Sequence, residues 1–339
     1  MAKLEVKTLR EEAGVYQWND IRERYTRSDL FLGNGFSIKI SSKLNYPSLF
    51  NKFIELIPAA DRAIFNQFGT TNFELILENI NNAIKVNDIF NIAHLQLVSS
   101  VDRLKNGLIE AINQNHPRHA EIDNNIFDKL SISLDDFEDV FTTNYDTFLY
   151  RIVMRTKDRY SGGEKIQLYQ DYFWLRVGDY LKFMDTQSDS TYKNFYFLHG
   201  ALFIFQTESG NFKIRRGDQE AELLDLVNAK IGVGEFPLFV AEGTFQDKEN
   251  KINRNGYLSF CRTNFKNASR NLVIYGSSLS DQDTHFINDL NYNRRNLAIG
   301  VYCEGRTVEQ LRSLRLGILS KFNRLKNEEI VFFDSDGLF

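Results

Sequence analysis

Apolar residues along this chain recur in two patterns. The first is a set of short, unbroken runs that end in small or polar residues. Leu30-Phe31-Leu32 runs into Gly33, Asp139 to Phe141 into Thr142-Thr143-Asn144, and Phe195 to Leu198 into His199-Gly200. Asn271 to Tyr275 leads into Gly276, and Leu297 to Tyr302 and Ile330 to Phe333 follow. Runs of this length read as strands, and apolar character on both faces marks a parallel sheet buried between helices.

The second pattern has the helical period. Residues 8 to 27 read as one amphipathic helix, ended by Ser28-Asp29. Pro47 opens a helical run through Leu49, Phe50, Phe53, Ile54 and Ile57. Thr71-Asn72-Phe73-Glu74 has the form of a capping box, heading a helix with Phe73, Ile76, Leu77, Ile80 and Ile84 on one face. From about Ile92 another helix carries Leu97, Val98, Val101, Leu104, Leu108 and Ile112 and stops before Pro117. Residues 39–131 therefore read as an all-helical insertion. Asp146 to Thr156 is a further helix. Residues 157–194, polar with anchors at Tyr169, Tyr172, Phe173 and Trp174, read as an irregular, mostly helical excursion. Ala201 to Phe205 and Phe212 to Arg215, around Ser209-Gly210-Asn211, read as a hairpin.

From Phe236 strands and helices alternate. Leu238 to Val240, Asn271 to Tyr275, Leu297 to Tyr302 and Ile330 to Phe333 are strands; Tyr257 to Asn267, Asp281 to Leu290 and Thr307 to Phe322 are helices. The predicted class is α/β: a doubly wound, mostly parallel, Rossmann-like sheet from residues 1–38, 132–156 and 193–339. The insertion at 39–131 and the excursion at 157–192 interrupt it.

Composition narrows the function classes. A net charge of −4 in 339 residues gives no global attraction to nucleic acid. Arg215-Arg216 and Lys248-Lys251-Arg254 read as solvated faces. Cys261 and Cys303 are the two cysteines, which excludes a four-cysteine zinc site and makes a disulfide framework unexpected. Met1 to Lys7 has no apolar core, so no secretory signal is expected. No stretch approaches the roughly 20 apolar residues of a membrane span. A cytoplasmic protein that binds neither membrane nor nucleic acid is the expectation.

Candidate chemistry sits where strands end, the usual place for ligands in α/β sheets. In Gly33-Asn34-Gly35-Phe36-Ser37 the glycines allow a sharp turn and close approach to phosphate, with backbone amides and the Ser37 hydroxyl as donors. A plain strand-to-helix turn is the alternative. In Thr143-Asn144-Tyr145-Asp146 the Asn144 carboxamide suits an amide or a ribose hydroxyl, and Asp146 can orient it. The alternative is an N-cap. His199, between an apolar strand and Gly200, suits a general base with an unperturbed pKa of about 6.5; a satisfied core histidine is the alternative. His116 and His119 flank Pro117 and read as a turn. In the segment after Gly276, Ser277 and Ser278 can bond a ribose or phosphate, and Ser280 with Asp283 has capping-box form. Asp281, Asp283 and His285 lie two apart on a helix and diverge, so no metal site is expected.

These four strings, in this order, resemble the sirtuin superfamily. Gly33-Asn34-Gly35-Phe36-Ser37 is similar to its Gly-Ala-Gly-x-Ser turn. Thr142-Thr143-Asn144, with Asp146, resembles Thr-Gln-Asn-x-Asp, displaced by one residue. Leu198-His199-Gly200 resembles the His-Gly string, and Gly276-Ser277-Ser278-Leu279 the Gly-Thr-Ser-Leu string. The resemblance implies NAD⁺ as substrate, with Asn144, His199 and Asp146 as catalytic residues. It implies binding of the dinucleotide by Gly33, Asn34, Gly35, Ser37, Thr143, Gly276, Ser277 and Ser278. The zinc module of deacetylating sirtuins cannot form here. A helical insertion in its place is similar to bacterial sirtuin-like proteins of antiphage defence, which implies hydrolysis of NAD⁺ to ADP-ribose and nicotinamide. It further implies a homo-oligomer and a ring-forming ATPase or sensor partner in trans, since no Walker-type motif is present. Protein ADP-ribosylation or deacylation, and a non-catalytic sensor of NAD⁺ or ADP-ribose, are the rival expectations.

Overall fold

The computed structural model describes residues 4–44, 49–71, 73–214, 222–240, 245–293, 295–322 and 330–339. In chain order its strands are β1 (Val15–Tyr16), β2 (Asp29–Leu32), β3 (Val140–Thr142), β4 (Tyr169–Gln170), β5 (Phe173–Val177), β6 (Tyr180–Phe183) and β7 (Lys193–Phe197). They continue as β8 (Gly200–Thr207), β9 (Gly210–Ile214), β10 (Pro237–Phe239), β11 (Leu272–Tyr275), β12 (Leu297–Val301) and β13 (Ile330–Asp334).

Eight of them form one sheet in the order β1-β13-β12-β11-β2-β3-β7-β4. Every ladder in it is parallel. Numbering its six central strands along the chain gives the order 6-5-4-1-2-3, which read from the other edge is the Rossmann order 3-2-1-4-5-6. The fold is thus α/β and Rossmann-like, with its topological switch between β2 and β11. Neighbouring residues of a strand point to opposite faces. On β13, Phe333 meets Trp18 of helix Trp18–Tyr25 at 5.0 Å between ring centroids, and Phe332 lies under Arg315 of helix Val308–Leu319 at 5.0 Å. Helices therefore cover both faces. Helices Gly256–Asn267 and Thr284–Asn293 seal the centre through Phe265 and Phe286, whose rings contact Phe31 of β2 at 5.6 and 5.8 Å.

The connection from β2 to β3 is helical among its described residues: Asn34–Ile40, Leu49–Leu56, Ala59–Phe68, Phe73–Ile89, Leu95–Asn115 and Asn124–Ser133. Pro47, Asn72 and the Glu74 side chain, which belong to the expected helix start and capping box, lie outside the described residues, as do Arg215 and Arg216.

Three expectations are corrected. Residues 8–27 are not one helix. Gly14 takes φ +66°, ends the helical turn Leu9–Ala13, and releases Val15–Tyr16 to pair with β13 at the sheet edge. Residues 157–194 are not mainly helical. The helix Phe148–Ser161 ends at Gly162, and β4, β5 and β6 follow. Gly178 at φ +57° makes the two-residue turn that pairs Val177 with Tyr180. Leu238 to Val240 do not continue the parallel alternation. The strand β10 there, Pro237–Phe239, pairs antiparallel with β8 in a second sheet, ordered β10-β8-β9-β6-β5. The expected hairpin is its β8–β9 pair. The chain crosses between the sheets where β4 leads through Asp171 and Tyr172 into β5, and again where β7 passes through Leu198 and His199 and Gly200 at φ +73° turns the chain into β8.

Candidate functional site

The strand register pairs Tyr275 with Leu32, which brings Gly33 opposite Gly276 at the carboxyl ends of β2 and β11. The two turns lie backbone against backbone. The Gly33 amide donates to the Tyr275 carbonyl at 2.9 Å, and the Gly35 amide to the Gly276 carbonyl at 2.7 Å. A Cβ on Gly35 would sit 2.7 Å from the Gly276 Cα, and one on Gly276, whose φ is +70°, would sit 2.4 Å from the Phe36 nitrogen. These glycines are required by the contact between the turns. Their amides are consumed there, which corrects the expectation that the amides of Gly33 and Gly35 would donate to phosphate.

The next strand, β3, delivers Asn144. Its backbone amide donates to the Thr142 hydroxyl at 3.0 Å, and Thr143 donates its amide to the Leu32 carbonyl at 3.1 Å. The Asn144 Nδ2 donates to the Gly33 carbonyl at 3.0 Å and to the Ser37 Oγ at 2.9 Å. A flipped carboxamide would set oxygen against the Gly33 carbonyl, so the orientation is fixed. The Asn144 Oδ1 has no partner among the described residues, so this side chain offers the cavity an acceptor. The fully buried Ser37 donates its hydroxyl to Asp146 Oδ2. Ser37 is therefore a brace beneath Asn144 and Asp146, and it does not line the cavity; its expected contact with phosphate is corrected. Asp146 Oδ1 accepts the Phe148 amide at 2.9 Å, so Asp146 also satisfies the first amide of helix Phe148–Ser161. His116, read as part of a turn, is buried below the site. Its Nε2 accepts the Thr147 amide at 3.1 Å, and burial holds its imidazole below the usual range.

His199 is buried, and its carbonyl accepts the Val240 amide at 2.7 Å, which ties β10 to the site. Its Nε2 lies 3.5 Å from the Nε2 of His285. Burial, with the Lys248 charge and then His285, pushes the His199 pKa well below the ordinary value. This corrects the expectation of a value near 6.5 and leaves the imidazole neutral at neutral pH. Burial and the Arg262 and Lys248 charges push His285 down to about 3. Lys248, read from sequence as part of a solvated face, has only 7% of its side chain exposed and stands 3.7 Å from Asp283. Burial raises the Asp283 carboxyl, with Lys248 opposing it.

A cavity of about 760 Å³ opens over these groups. Gly33, Asn34, Gly35, Thr143, Asn144, Asp146, His199, Gly276, Ser277 and Ser278 all line it, so four segments widely separated in the chain converge. Ser277 Oγ accepts the Leu279 amide at 3.1 Å, a local turn that leaves its hydroxyl proton for a ligand, and Ser278 is exposed at the rim. The Ser280 side chain makes no capping bond, because the turn closes instead through the Ser280 carbonyl and the Asp283 amide at 2.9 Å. Asp281 pairs with Lys321 at 2.8 Å, Asp283 faces Lys248, and His285 faces His199, so the three diverge. Among the described residues no group of three or more His, Cys, Asp or Glu side chains is placed to hold a metal ion. Sequence reasoning missed Lys248 and the apolar wall of Leu49, Phe50 and Phe73 from the helical segment. The helix Phe245–Arg254 that carries Lys248 has a polar composition which gave no sign that one face is buried.

Among the described residues, no helix is long and apolar enough to cross a membrane. The model of a family described as a domain of unknown function, DUF4917, matches residues 30–337. No curated protein matches the chain.

Proposed function

The chain belongs to the DUF4917 family, and from the cavity at its sheet switch point we propose that it is an NAD⁺ hydrolase, cleaving the bond between nicotinamide and ribose. The observation that carries this reading is the convergence on one cavity of an acceptor carboxamide, a carboxylate, a neutral imidazole and a buried lysine at the switch point of a Rossmann-ordered sheet. Dinucleotides occupy that crevice in such sheets. A cavity of about 760 Å³ lies within the range of small-molecule sites.

In the proposed reaction Asn144 Oδ1 accepts a hydrogen bond from the attacking water or from a ribose hydroxyl. Water adds its oxygen to the anomeric carbon as nicotinamide leaves with the electron pair of the broken bond. His199, which its depressed pKa keeps as the free base at neutral pH, takes the water proton. The Asp146 carboxylate, held by Ser37 and the Phe148 amide, faces the positive charge that develops on the ribose. Lys248 meets the diphosphate, the role expected above for the Gly33 and Gly35 amides and the Ser37 hydroxyl. Ser277 and Ser278 bond the second ribose. Likeness to sirtuins supports the assignment through the same four strings, and the setting proposed with it is depletion of NAD⁺ during phage infection.

Incubating purified protein with NAD⁺ and separating the products tests the reading. Free nicotinamide and ADP-ribose in equal amounts are expected, and ADP-ribose attached to protein would instead favour transfer. Asn144→Ala and His199→Ala are each expected to lower turnover at least about a hundredfold while remaining folded. NAD⁺ left intact by the wild type, with its assembly partners present, would overturn the proposal.

A further inference from the structure

A second cavity, of about 290 Å³, lies away from the first, between helix Phe148–Ser161 and the β5–β6 hairpin. The helix turns Tyr150, Val153, Met154 and Lys157 toward it, positions spaced i, i+3, i+4 and i+7 on one face. Tyr172, just before β5, and Trp174 within it, with Tyr192, add aromatic wall. Tyr172 holds φ +66°, a conformation that a bulky side chain keeps only when its surroundings fix it. Its hydroxyl is fixed at 3.2 Å from that of Tyr196.

The polar groups of this cavity divide sharply. The acceptors are engaged: Gln170 Oε1 takes the Ser188 amide and hydroxyl at 3.0 and 2.9 Å. Asp171 takes the buried Lys213 ammonium on one oxygen and the Phe173 amide on the other. The Trp174 indole donates to the Thr186 carbonyl at 2.9 Å, and the Tyr169 hydroxyl to the Leu134 carbonyl at 2.8 Å. Three donors remain without a partner among the described residues: the Lys157 ammonium, exposed at the mouth, and the hydroxyls of Tyr150 and Tyr192. Lys213 and Asp171 are the charges that act on Lys157, and they compensate one another. Desolvation and the Lys213 charge hold the Lys157 amine below the usual lysine range, with Asp171 opposing them.

We propose that this cavity binds a small aromatic carboxylate, its charge held by Lys157 with the Tyr150 and Tyr192 hydroxyls and its ring against Tyr172 and Trp174. One uncompensated positive charge matches a monoanion. A phosphate dianion would leave a surplus negative charge beside Asp171. The volume admits a single ring with its substituent and excludes a dinucleotide. Nothing in this inference depends on the chemistry of the first cavity.

Calorimetric titration of the full chain with benzoate tests it, with benzyl alcohol as the uncharged analogue and inorganic phosphate as the non-aromatic anion. Benzoate is expected to bind at least about tenfold tighter than either, because a charge-assisted hydrogen bond is at stake. Lys157→Met should weaken benzoate at least about tenfold, and Lys157→Arg should restore most of the affinity. Lys157 has no partner to lose, so both variants should keep the wild-type circular dichroism; Tyr192→Phe serves as a second, milder probe and should weaken binding a few-fold. The inference is overturned by undetectable benzoate binding, by equal affinity for benzyl alcohol, by tighter binding of phosphate, or by wild-type benzoate affinity in Lys157→Met.

Discussion

Ser37 lies fully buried beneath two groups of the proposed site. In the fold it accepts from Asn144 and donates to Asp146, so one hydroxyl sets the orientation of two groups of the proposed site. Ser37→Ala is expected to cost about 1–3 kcal/mol of stability, the penalty for leaving buried polar partners unpaired. It should also lower NAD⁺ turnover at least about tenfold, although Ser37 does not line the cavity; urea unfolding and product assays read the two effects. Wild-type values in both would remove Ser37 from the network. The histidines make a second prediction at this scale. His199 was legible as a strand-end imidazole, whereas its pairing with His285, 86 residues away, was not. Both imidazoles are held below the unfolded value of about 6.5. An unfolded chain takes up protons as pH falls through that value, and the folded chain does not. Their stabilisation is therefore complete above about pH 6.5 and is lost on acidification toward the folded values, which for His285 lie near 3. Between pH 7 and 5 each imidazole should remove about 2 kcal/mol. His285→Phe should flatten the pH dependence of unfolding by about that amount, and an unchanged slope would refute the burial argument.

Elements were legible where apolar runs were long and unbroken. β2, β3, β7, β11, β12 and β13 are the strands that build the centre of the parallel sheet, and all were visible as such runs because both faces are buried. β5 and β6 were not. Their residues are largely exposed or half-buried, so no uninterrupted apolar signal exists, and the deciding feature is the backbone turn at Gly178. β1 escaped for a related reason: a strand of two residues carries no period. The glycine turns carry the prediction at this scale. Gly276 combines a left-handed φ with backbone atoms where a Cβ would go, so Gly276→Ala has both a conformational and a steric penalty. It should destabilise the protein by about 3 kcal/mol or more and separate the turns that carry Asn34 and Ser277. Gly69→Ala, also at positive φ but with nothing within 4 Å of its Cβ, should cost about 1 kcal/mol, so the difference between the two in thermal unfolding isolates the clash. Equal losses would mean that the turns part without cost.

At the scale of the whole molecule, the cavity is held between the ends of the parallel sheet, the helical segment through Leu49, Phe50 and Phe73, and the helix that carries Lys248. Sequence reasoning placed the sheet side of this cavity and could not place the rest, because the covering helices meet it only through long-range packing. A ligand that touches all three parts must stabilise the chain as a unit, since binding to the folded state alone adds free energy to unfolding. For the Asn144→Ala variant, in which NAD⁺ should stay intact, saturation at a hundred times the dissociation constant should add about 2.7 kcal/mol. Lys248→Met in the same background separates the contributions. Lys248 is the buried cation of the cavity, so its loss should weaken NAD⁺, which carries a diphosphate, at least about tenfold. Nicotinamide riboside, which carries none, should bind both backgrounds with similar affinity. Equal weakening of both ligands would show that Lys248 shapes the pocket through Asp283 and His199, and would move the diphosphate elsewhere along the cavity.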